Sequence, residues 1–191
     1  MIVGIVLAAG FASRYGAPKV LERVRGIELV RHVVDRVSAA GITDVIVTAG
    51  ESADGVREAL EGSGAVVVAV PDAAAGLSAS LRAALDVLPA ECTGFVVALA
   101  DQPFIDPAVV RQLHDTWETS NAAAVVPVYR DGGRGNPVFF DATMRRRLRD
   151  LTGDAGARDL LVAMGDRVVQ VPVDAPAPRD VDTREDLSHL E

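Results

Sequence analysis

Lys19 is the only lysine among the nineteen lysine and arginine residues of the chain. A lysine ammonium group is a compact charge that can approach one phosphate oxygen, whereas the planar guanidinium group of arginine suits bidentate contacts. Lys19 closes a segment that begins with Ala8, Ala9 and Gly10, small residues that let backbone N–H groups approach a ligand closely. The residues predict a phosphate-binding, catalytic role for Lys19; a chance lysine in an arginine-rich composition is the open alternative.

Acidic side chains follow two apolar runs of the sequence. Asp101 follows the run 95–99 after a single alanine, and a carboxylate at the carboxyl edge of a sheet is well placed to bind magnesium. Asp180 and Asp182 follow the run 168–173, and taken alone they suit a capping sequence before a helix over 184–190. Because a turn or a helix cap explains Asp101 as well, the residue types alone leave a metal site open.

Regular elements must bring these residues together. Short runs rich in valine and isoleucine predict buried strands at 2–7, 44–48, 65–70, 95–99 and 123–127. Apolar residues spaced three and four apart predict helices at 29–39, 53–60, 78–88 and 107–117, with Ser78 and Asp106 as helix caps. Since strand and helix alternate and only 4% of the residues are aromatic, we expect an α/β fold: a doubly wound, mostly parallel, Rossmann-like sheet with helices on both faces.

The last third of the chain has a different character. A glycine-rich loop near 132–135 leads into a predicted short strand at 137–140 and an arginine-rich helix at 143–151, which together suggest an insertion across the end of the sheet. Several arginines in a row on a helix are more typical of a solvated face than of a phosphate site. A final strand is predicted at 168–173.

The composition limits the possible functions. The length of 191 residues fits one domain over 1–191, and a net charge of -8 argues against a nucleic-acid or membrane surface, which needs clustered cations. A single cysteine, Cys92, rules out an internal disulfide and a site with several cysteine ligands. The apolar run 2–7 is too short for a signal peptide or a membrane span, so we expect a cytoplasmic protein.

The glycine spacing matches neither the dinucleotide fingerprint nor the P-loop. The pattern L-A-A-G-x-x-x-R-x-G-x-x-K, which runs from Leu7 to Lys19, is instead similar to the signature loop of nucleotidyltransferases of the sugar-phosphate type, including the MobA-like NTP transferase family. This resemblance implies a fold of the nucleotide-diphospho-sugar transferase type and a loop whose backbone wraps the base and triphosphate. It also implies that Arg14 and Lys19 contact phosphates and that Lys19, Arg14 and Asp101 are catalytic.

The same resemblance implies ligand sets. The nucleotide-binding residues would be Leu7, Ala8, Ala9, Gly10, Arg14, Lys19, Asp72, Ser78 and Ser80. A Pro-Asp turn explains Asp72 nearly as well as a contact with the base. Mg²⁺ would be held by Asp101 and Asp182, with Asp180 as the competing candidate for the second ligand.

Four further segments look like the molybdenum cofactor cytidylyltransferases within this family: 76–81, 100–103, 134–140 and 153–158. The resemblance implies transfer of CMP from CTP to the phosphate of molybdopterin, with release of pyrophosphate and with a molybdoenzyme apoprotein as a further partner. The acceptor side would be lined by Gly135, Asn136, Pro137, Asp154 and Arg158.

Asn136 departs from the pattern, because the family usually has histidine between this glycine and proline. If that histidine touches the acceptor, a different phosphorylated acceptor becomes possible. The Ala8-Ala9-Gly10 loop resembles the pyrimidine-using type and favours CTP over GTP. Guanylyl transfer and a non-catalytic molybdenum cofactor carrier are the alternatives, with an unrelated doubly wound domain as the third.

Overall fold

A computed structural model describes residues 1–10, 18–73, 76–132, 135–153 and 157–190. The strands in these ranges are β1 (Ile2–Leu7), β2 (Arg23–Val24), β3 (Ile27–Glu28), β4 (Val45–Ala49), β5 (Val66–Ala69), β6 (Gly94–Leu99), β7 (Ala124–Tyr129), β8 (Val138–Asp141) and β9 (Val168–Val173). The helices are α1 (Leu29–Ala39), α2 (Ala53–Ala59), α3 (Leu77–Asp86), α4 (Pro107–Glu118), α5 (Arg145–Arg149), α6 (Arg158–Ala163) and α7 (Arg184–Ser188). Lys19–Leu21 forms a short 3₁₀ turn just before β2.

The main sheet has the strand order β5-β4-β1-β6-β8-β7-β9, and β2 and β3 form a separate antiparallel hairpin. The pairs β4–β5, β1–β4, β1–β6 and β7–β9 are parallel, whereas β8 runs antiparallel to both β6 and β7. The chain moves outward from β1 through β4 to β5 and then returns to β6 on the other side of β1. Ligands of open α/β sheets bind where the strand order reverses in this way, at the carboxyl ends of the strands. The switch point therefore lies between β1 and β6.

Side chains of the central strands alternate between two hydrophobic layers, as the pleat of a strand requires. Val3, Ile5 and Leu7 pack in the layer that contains α3, α5 and α6, whereas Val6 packs in the layer that contains α1, α2 and α4. At Gly4 a Cβ atom would lie 2.7 Å from Val37 Cγ1, so glycine at this position lets α1 pack directly on β1. The two layers place helices on both faces of the sheet.

The expected α/β architecture is confirmed, and the bounds of β1, α1 and β9 agree with the sequence prediction to the residue. Asp106 caps α4 as expected, since its Oδ1 accepts a hydrogen bond from the backbone N–H of Ala108. Ser78 does not cap α3, because that helix already begins at Leu77, behind Gly76 with φ of 95°. The segment predicted as an insertion across the end of the sheet is partly a strand within it, since β8 lies between β6 and β7. In the described ranges, no helix is long and apolar enough to cross a membrane.

Candidate active site

The ammonium group of Lys19 lies between two carboxylates at the switch point. Its Nζ donates hydrogen bonds of 3.0 Å to Asp101 Oδ2 and 3.0 Å to Asp182 Oδ1. The Lys19 side chain is only 14% exposed, against 27% for Asp101 and 65% for Asp182. The chain thus joins three of the candidate residues in one cluster, although Lys19 and Asp182 are 163 positions apart.

The charges of this cluster affect one another. Burial alone would lower the pKa of Lys19, but the Asp101 and Asp182 carboxylates outweigh that effect and raise the pKa above its ordinary value. The pKa of Asp180 is also raised, first by burial and then by the negative charges of Asp101 and Asp182. A hydrogen bond from Gln102 and the charge of Lys19 act in the opposite direction on Asp180. Lys19 is therefore a fully charged cation at neutral pH.

The carboxylate pair fits a divalent cation. Asp101 and Asp182 already share one positive group, and Asp101 Oδ1 is buried with no hydrogen-bond partner among the described residues. A buried carboxylate oxygen without a partner is costly, so its presence needs an explanation such as a bound ion. Mg²⁺ and Mn²⁺ prefer carboxylate oxygens as ligands.

Backbone contacts hold the two acidic segments together. The backbone N–H of Val181 donates to the carbonyl oxygen of Asp101 over 2.9 Å. The Val181 side chain is fully buried with Val24 of β2 and Leu29 of α1, against which Phe104 and Leu187 also pack. On the other side, the N–H of Ala100 donates to the carbonyl oxygen of Leu7 over 3.1 Å, which ties the end of β6 to the end of β1.

The residues predicted to bind the nucleotide occupy different environments. Leu7, Ala8 and Ala9 are buried, while Gly10 is exposed and its Cβ position is open within 4 Å in the described part of the chain. Asp72 is exposed in a turn after β5. Ser78 and Ser80 are buried in the first turn of α3. Arg14 lies outside the described residues.

An apolar cavity of about 450 Å³ is lined by residues of β6, β7 and β8 and of the helices α3 and α6, and also by Leu7 and Leu99 at the carboxyl ends of β1 and β6. Leu7, Leu99 and Leu161 contribute to its walls. Its polar and charged lining side chains come from Ser78, Asn136 and Arg158. The structure thus brings predicted residues of both kinds to the same cavity: the acceptor candidates Gly135, Asn136 and Arg158 and the nucleotide candidates Leu7 and Ser78.

The loop before β8 is fixed by Tyr129. Its hydroxyl donates to the backbone carbonyl of Asn136 over 2.7 Å, and a Cβ at Gly135 would lie 3.0 Å from the Tyr129 ring. Pro137 is buried, after a cis peptide bond. Burial, followed by the charges of Asp106 and Asp131, raises the pKa of the Tyr129 hydroxyl, which stays a donor at neutral pH. Asp154, the remaining acceptor candidate, lies outside the described residues.

A second groove of about 660 Å³ lies at the opposite edge of the sheet, where the parallel strands begin. His114, Trp117, Asp141 and Arg167 are among its lining residues. None of the candidate residues named from the sequence lines it. The larger groove is therefore not the candidate site. The site is identified by the contacts of Lys19 with Asp101 and Asp182.

Two residues of the site received no individual role from the sequence, although Gln102 lies in the segment 100–103 that carries the family resemblance. Gln102 is buried, and its Nε2 donates to Asp180 Oδ1 over 2.7 Å. Tyr129 shapes the loop at Asn136, as described above. Gln102 directly follows Asp101 in the sequence, and this adjacency was a usable signal; nothing in the sequence around Tyr129 pointed to its partner.

The chain matches a known protein family over most of its length. The family described as "MobA-like NTP transferase domain" matches residues 4–178. Among curated relatives, the "Bifunctional protein GlmU" of Clostridioides difficile (strain 630) is 30% identical over 149 residues, which cover 77% of this chain and 31% of that protein. The chain therefore spans about a third of the length of that curated relative.

Solved structures resemble the chain over nearly its whole length. Rv0371c from Mycobacterium tuberculosis superposes with a TM-score of 0.88 at 36% identity, covering 99% of this chain and 96% of that one. A complex of Rv0371c with manganese gives a TM-score of 0.85 at 35% identity, covering 99% and 97% of the two chains. The nucleotidyl transferase Mth528 from a Methanothermobacter species gives a TM-score of 0.84 at 25% identity, covering 100% of this chain and 95% of that one.

Proposed function

The chain belongs to the family of MobA-like NTP transferase domains, and on that premise we propose that it transfers a nucleotidyl group from a nucleoside triphosphate to a phosphorylated small molecule. The observation that carries this proposal is the cluster in which Lys19 lies 3.0 Å from each of Asp101 and Asp182. A lysine ammonium group next to paired carboxylates suits phosphoryl chemistry, in which cations offset the charge of the phosphate oxygens. The proposed domain covers residues 1–191.

In the proposed reaction, an oxygen of the acceptor phosphate attacks the α-phosphorus of the nucleotide. A new P–O bond forms to the acceptor, the bond between the α-phosphorus and the bridging oxygen breaks, and pyrophosphate leaves. Lys19 would turn from the carboxylates to the α-phosphate and offset the negative charge that develops there. Arg14 is proposed as a second phosphate contact from the sequence pattern alone.

Asp101 and Asp182 would hold a divalent cation, with Asp101 Oδ1 as the oxygen that has no other described partner. Such an ion would supply Lewis-acid neutralisation of the phosphate oxygens. Mg²⁺ is our proposal for the working ion; the manganese complex of Rv0371c, a structure 35% identical to this chain, supports a divalent-ion requirement.

As the specific reaction, we propose transfer of CMP from CTP to the phosphate of molybdopterin. The Ala8-Ala9-Gly10 loop favours CTP by its resemblance to pyrimidine-using relatives. The cavity supports a flat acceptor: its walls are largely apolar, so a ring system can be buried there, and Arg158 supplies a cation at its rim for an anionic group. Delivery of the product to a molybdoenzyme apoprotein would follow.

The test is pyrophosphate release with CTP, GTP, ATP and UTP, each with Mg²⁺ and with or without molybdopterin that already carries molybdenum. Release that requires both CTP and this acceptor supports the specific proposal. Turnover with GTP would move the chain to guanylyl transfer. Retention of the acceptor without pyrophosphate release would contradict an enzyme and indicate a carrier, which has no need for the Lys19 cluster.

A further inference from the structure

The three acidic residues Asp101, Asp180 and Asp182 make different contacts. Asp182 Oδ1 accepts from Lys19, which also binds Asp101. Asp180 Oδ1 accepts instead from the side chain of Gln102 over 2.7 Å. The residue between the two late carboxylates, Val181, points its side chain into the core and its backbone N–H at Asp101.

The side chain of Gln102 is buried, and its orientation is determined by the hydrogen bond to Asp180. It is only 7% exposed, and its Oε1 is buried with no hydrogen-bond partner among the residues described, so its Nε2 donates the amide's side-chain hydrogen bond to Asp180. Burying an amide with an unpaired oxygen costs free energy. A rotated amide would set Oε1 against the Asp180 carboxylate, where two acceptors would repel each other. The contact with Asp180 therefore fixes which way the amide points.

The bond spans the two segments that carry the candidate metal ligands. Asp101 directly precedes Gln102, and Asp182 follows Asp180 by two positions. Together with the Val181 contact to the Asp101 carbonyl, the Gln102–Asp180 bond joins these segments at a second point. With both points fixed, the Asp182 carboxylate stays within reach of the Lys19 ammonium group, to which Asp101 also binds.

We propose that Gln102 is a positioning residue whose hydrogen bond to Asp180 holds Asp182 in place beside Asp101 for a divalent cation, so that Asp180 is an anchor and not a metal ligand. This inference rests on the proposed function for the role of the ion. It assigns distinct tasks to Asp180 and Asp182, which the sequence left as competitors for one task.

The experiment is a titration of nucleotide-free protein with Mn²⁺, in which electron paramagnetic resonance measures the concentration of the free ion. Gln102→Leu removes the donor without changing the charge of the site, and Gln112→Leu, on the exposed face of α4, is the matched control. Because a hydrogen bond to a charged group is lost, we expect Gln102→Leu to weaken Mn²⁺ binding about fivefold to tenfold. Gln112→Leu should leave binding unchanged.

Two substitutions test the same bond from Asp180, which is more exposed than Gln102, so that folding is less at risk. Asp180→Asn and Asp180→Leu remove the same charge, but only the amide keeps an acceptor for Gln102. We expect Asp180→Asn to bind Mn²⁺ within about threefold of the wild type and Asp180→Leu to match Gln102→Leu. Asp182→Asn, which removes a proposed ligand, should lose much more affinity than Asp180→Asn.

Either of two results would overturn the inference: Mn²⁺ affinity unchanged in Gln102→Leu, or equal losses in Asp180→Asn and Asp182→Asn. A purely structural role of Gln102 would lower the melting temperature while leaving the Mn²⁺ affinity of the folded protein unchanged, which also counts against it. Because the assay needs no turnover, an inactive protein with the expected Mn²⁺ pattern would refute the proposed reaction and leave the positioning role standing.

Discussion

Val181 donates its backbone N–H to the carbonyl oxygen of Asp101 over 2.9 Å, which joins the end of β6 to a segment near the end of the chain. The contact is internal, because the Val181 side chain is fully buried against Val24 and Leu29. The hairpin β2–β3 and the start of α1 therefore form part of the support for the candidate site. Substitutions at Lys19 test the charges of the cluster, and a substitution at Glu28 tests the stability of the hairpin that supports it.

Lys19→Ala should abolish most turnover while leaving the fold intact. Loss of a preorganised cation costs on the order of 2–4 kcal/mol of transition-state stabilisation, or about thirtyfold to a thousandfold in rate. Lys19→Arg should recover little, because a planar fork does not replace a point charge between the two carboxylates. The measurement is kcat/KM for pyrophosphate release, with circular dichroism to show folding. Full turnover in a folded Lys19→Ala protein would remove Lys19 from the proposed chemistry.

Lys19 should compete with a metal ion for the carboxylates before the nucleotide binds. Its ammonium group lies 3.0 Å from both Asp101 and Asp182, so a divalent cation bound by the same two carboxylates would meet a positive charge beside it. We expect Lys19→Met to tighten Mn²⁺ binding to the nucleotide-free protein about threefold to tenfold, even though turnover is lost. Titration calorimetry measures this affinity. Arg57→Met, which removes the same charge from an exposed pair on α2, controls for net charge; an equal effect there, or weaker binding in Lys19→Met, would refute the competition.

The sequence predicted the parts of the fold that have a strong local signal. The continuous apolar run of β1 located that strand, because a strand buried on both faces carries no polar positions. β9, at the edge of the sheet, instead alternates between exposed and buried residues from Gln170 to Val173. The hairpin β2–β3 was missed, since two strands of two residues each carry no periodicity. Thr183, beside Asp182, forms a capping box with Asp186, so the capping interpretation of this segment is confirmed. The same segment also meets Lys19, and a contact between residues 163 positions apart follows from packing at Val181 that no local pattern reveals.

Glu28 should give the hairpin a pH-dependent contribution to stability. Burial of Glu28 would raise its pKa, but its own backbone N–H and the Arg23 guanidinium, 2.7 Å away, outweigh burial and lower the pKa below the ordinary 4.5. The folded protein then binds this proton less tightly than the unfolded chain. The stabilisation is therefore complete above the ordinary pKa and is lost as the pH falls through the lowered folded pKa.

The corresponding substitution is Glu28→Gln. We expect it to reduce the free energy of unfolding by about 0.5–1 kcal/mol at pH 7, because the ion-pair partner of Glu28 is an exposed arginine. The difference from the wild type should disappear in acid strong enough to protonate Glu28 in both states. Urea unfolding across this pH range measures it, and Glu58→Gln on the exposed face of α2 is the control. A difference that persists in acid would show that packing, not charge, is responsible.

Arg158 should act on the acceptor and not on the nucleotide. It is exposed at the start of α6 and lines the apolar cavity, where an anionic acceptor would meet a positive charge at the rim. Loss of one charge-assisted contact is expected to raise the acceptor KM about tenfold in Arg158→Ala, with the CTP KM unchanged. Steady-state kinetics with each substrate varied in turn separates the two constants. Arg147→Ala, an equally exposed arginine on α5 that does not line the cavity, should change neither. A rise in the CTP KM alone would place the triphosphate, and not the acceptor, on the α6 side of the sheet, because Arg158 contacts whichever anion occupies that rim.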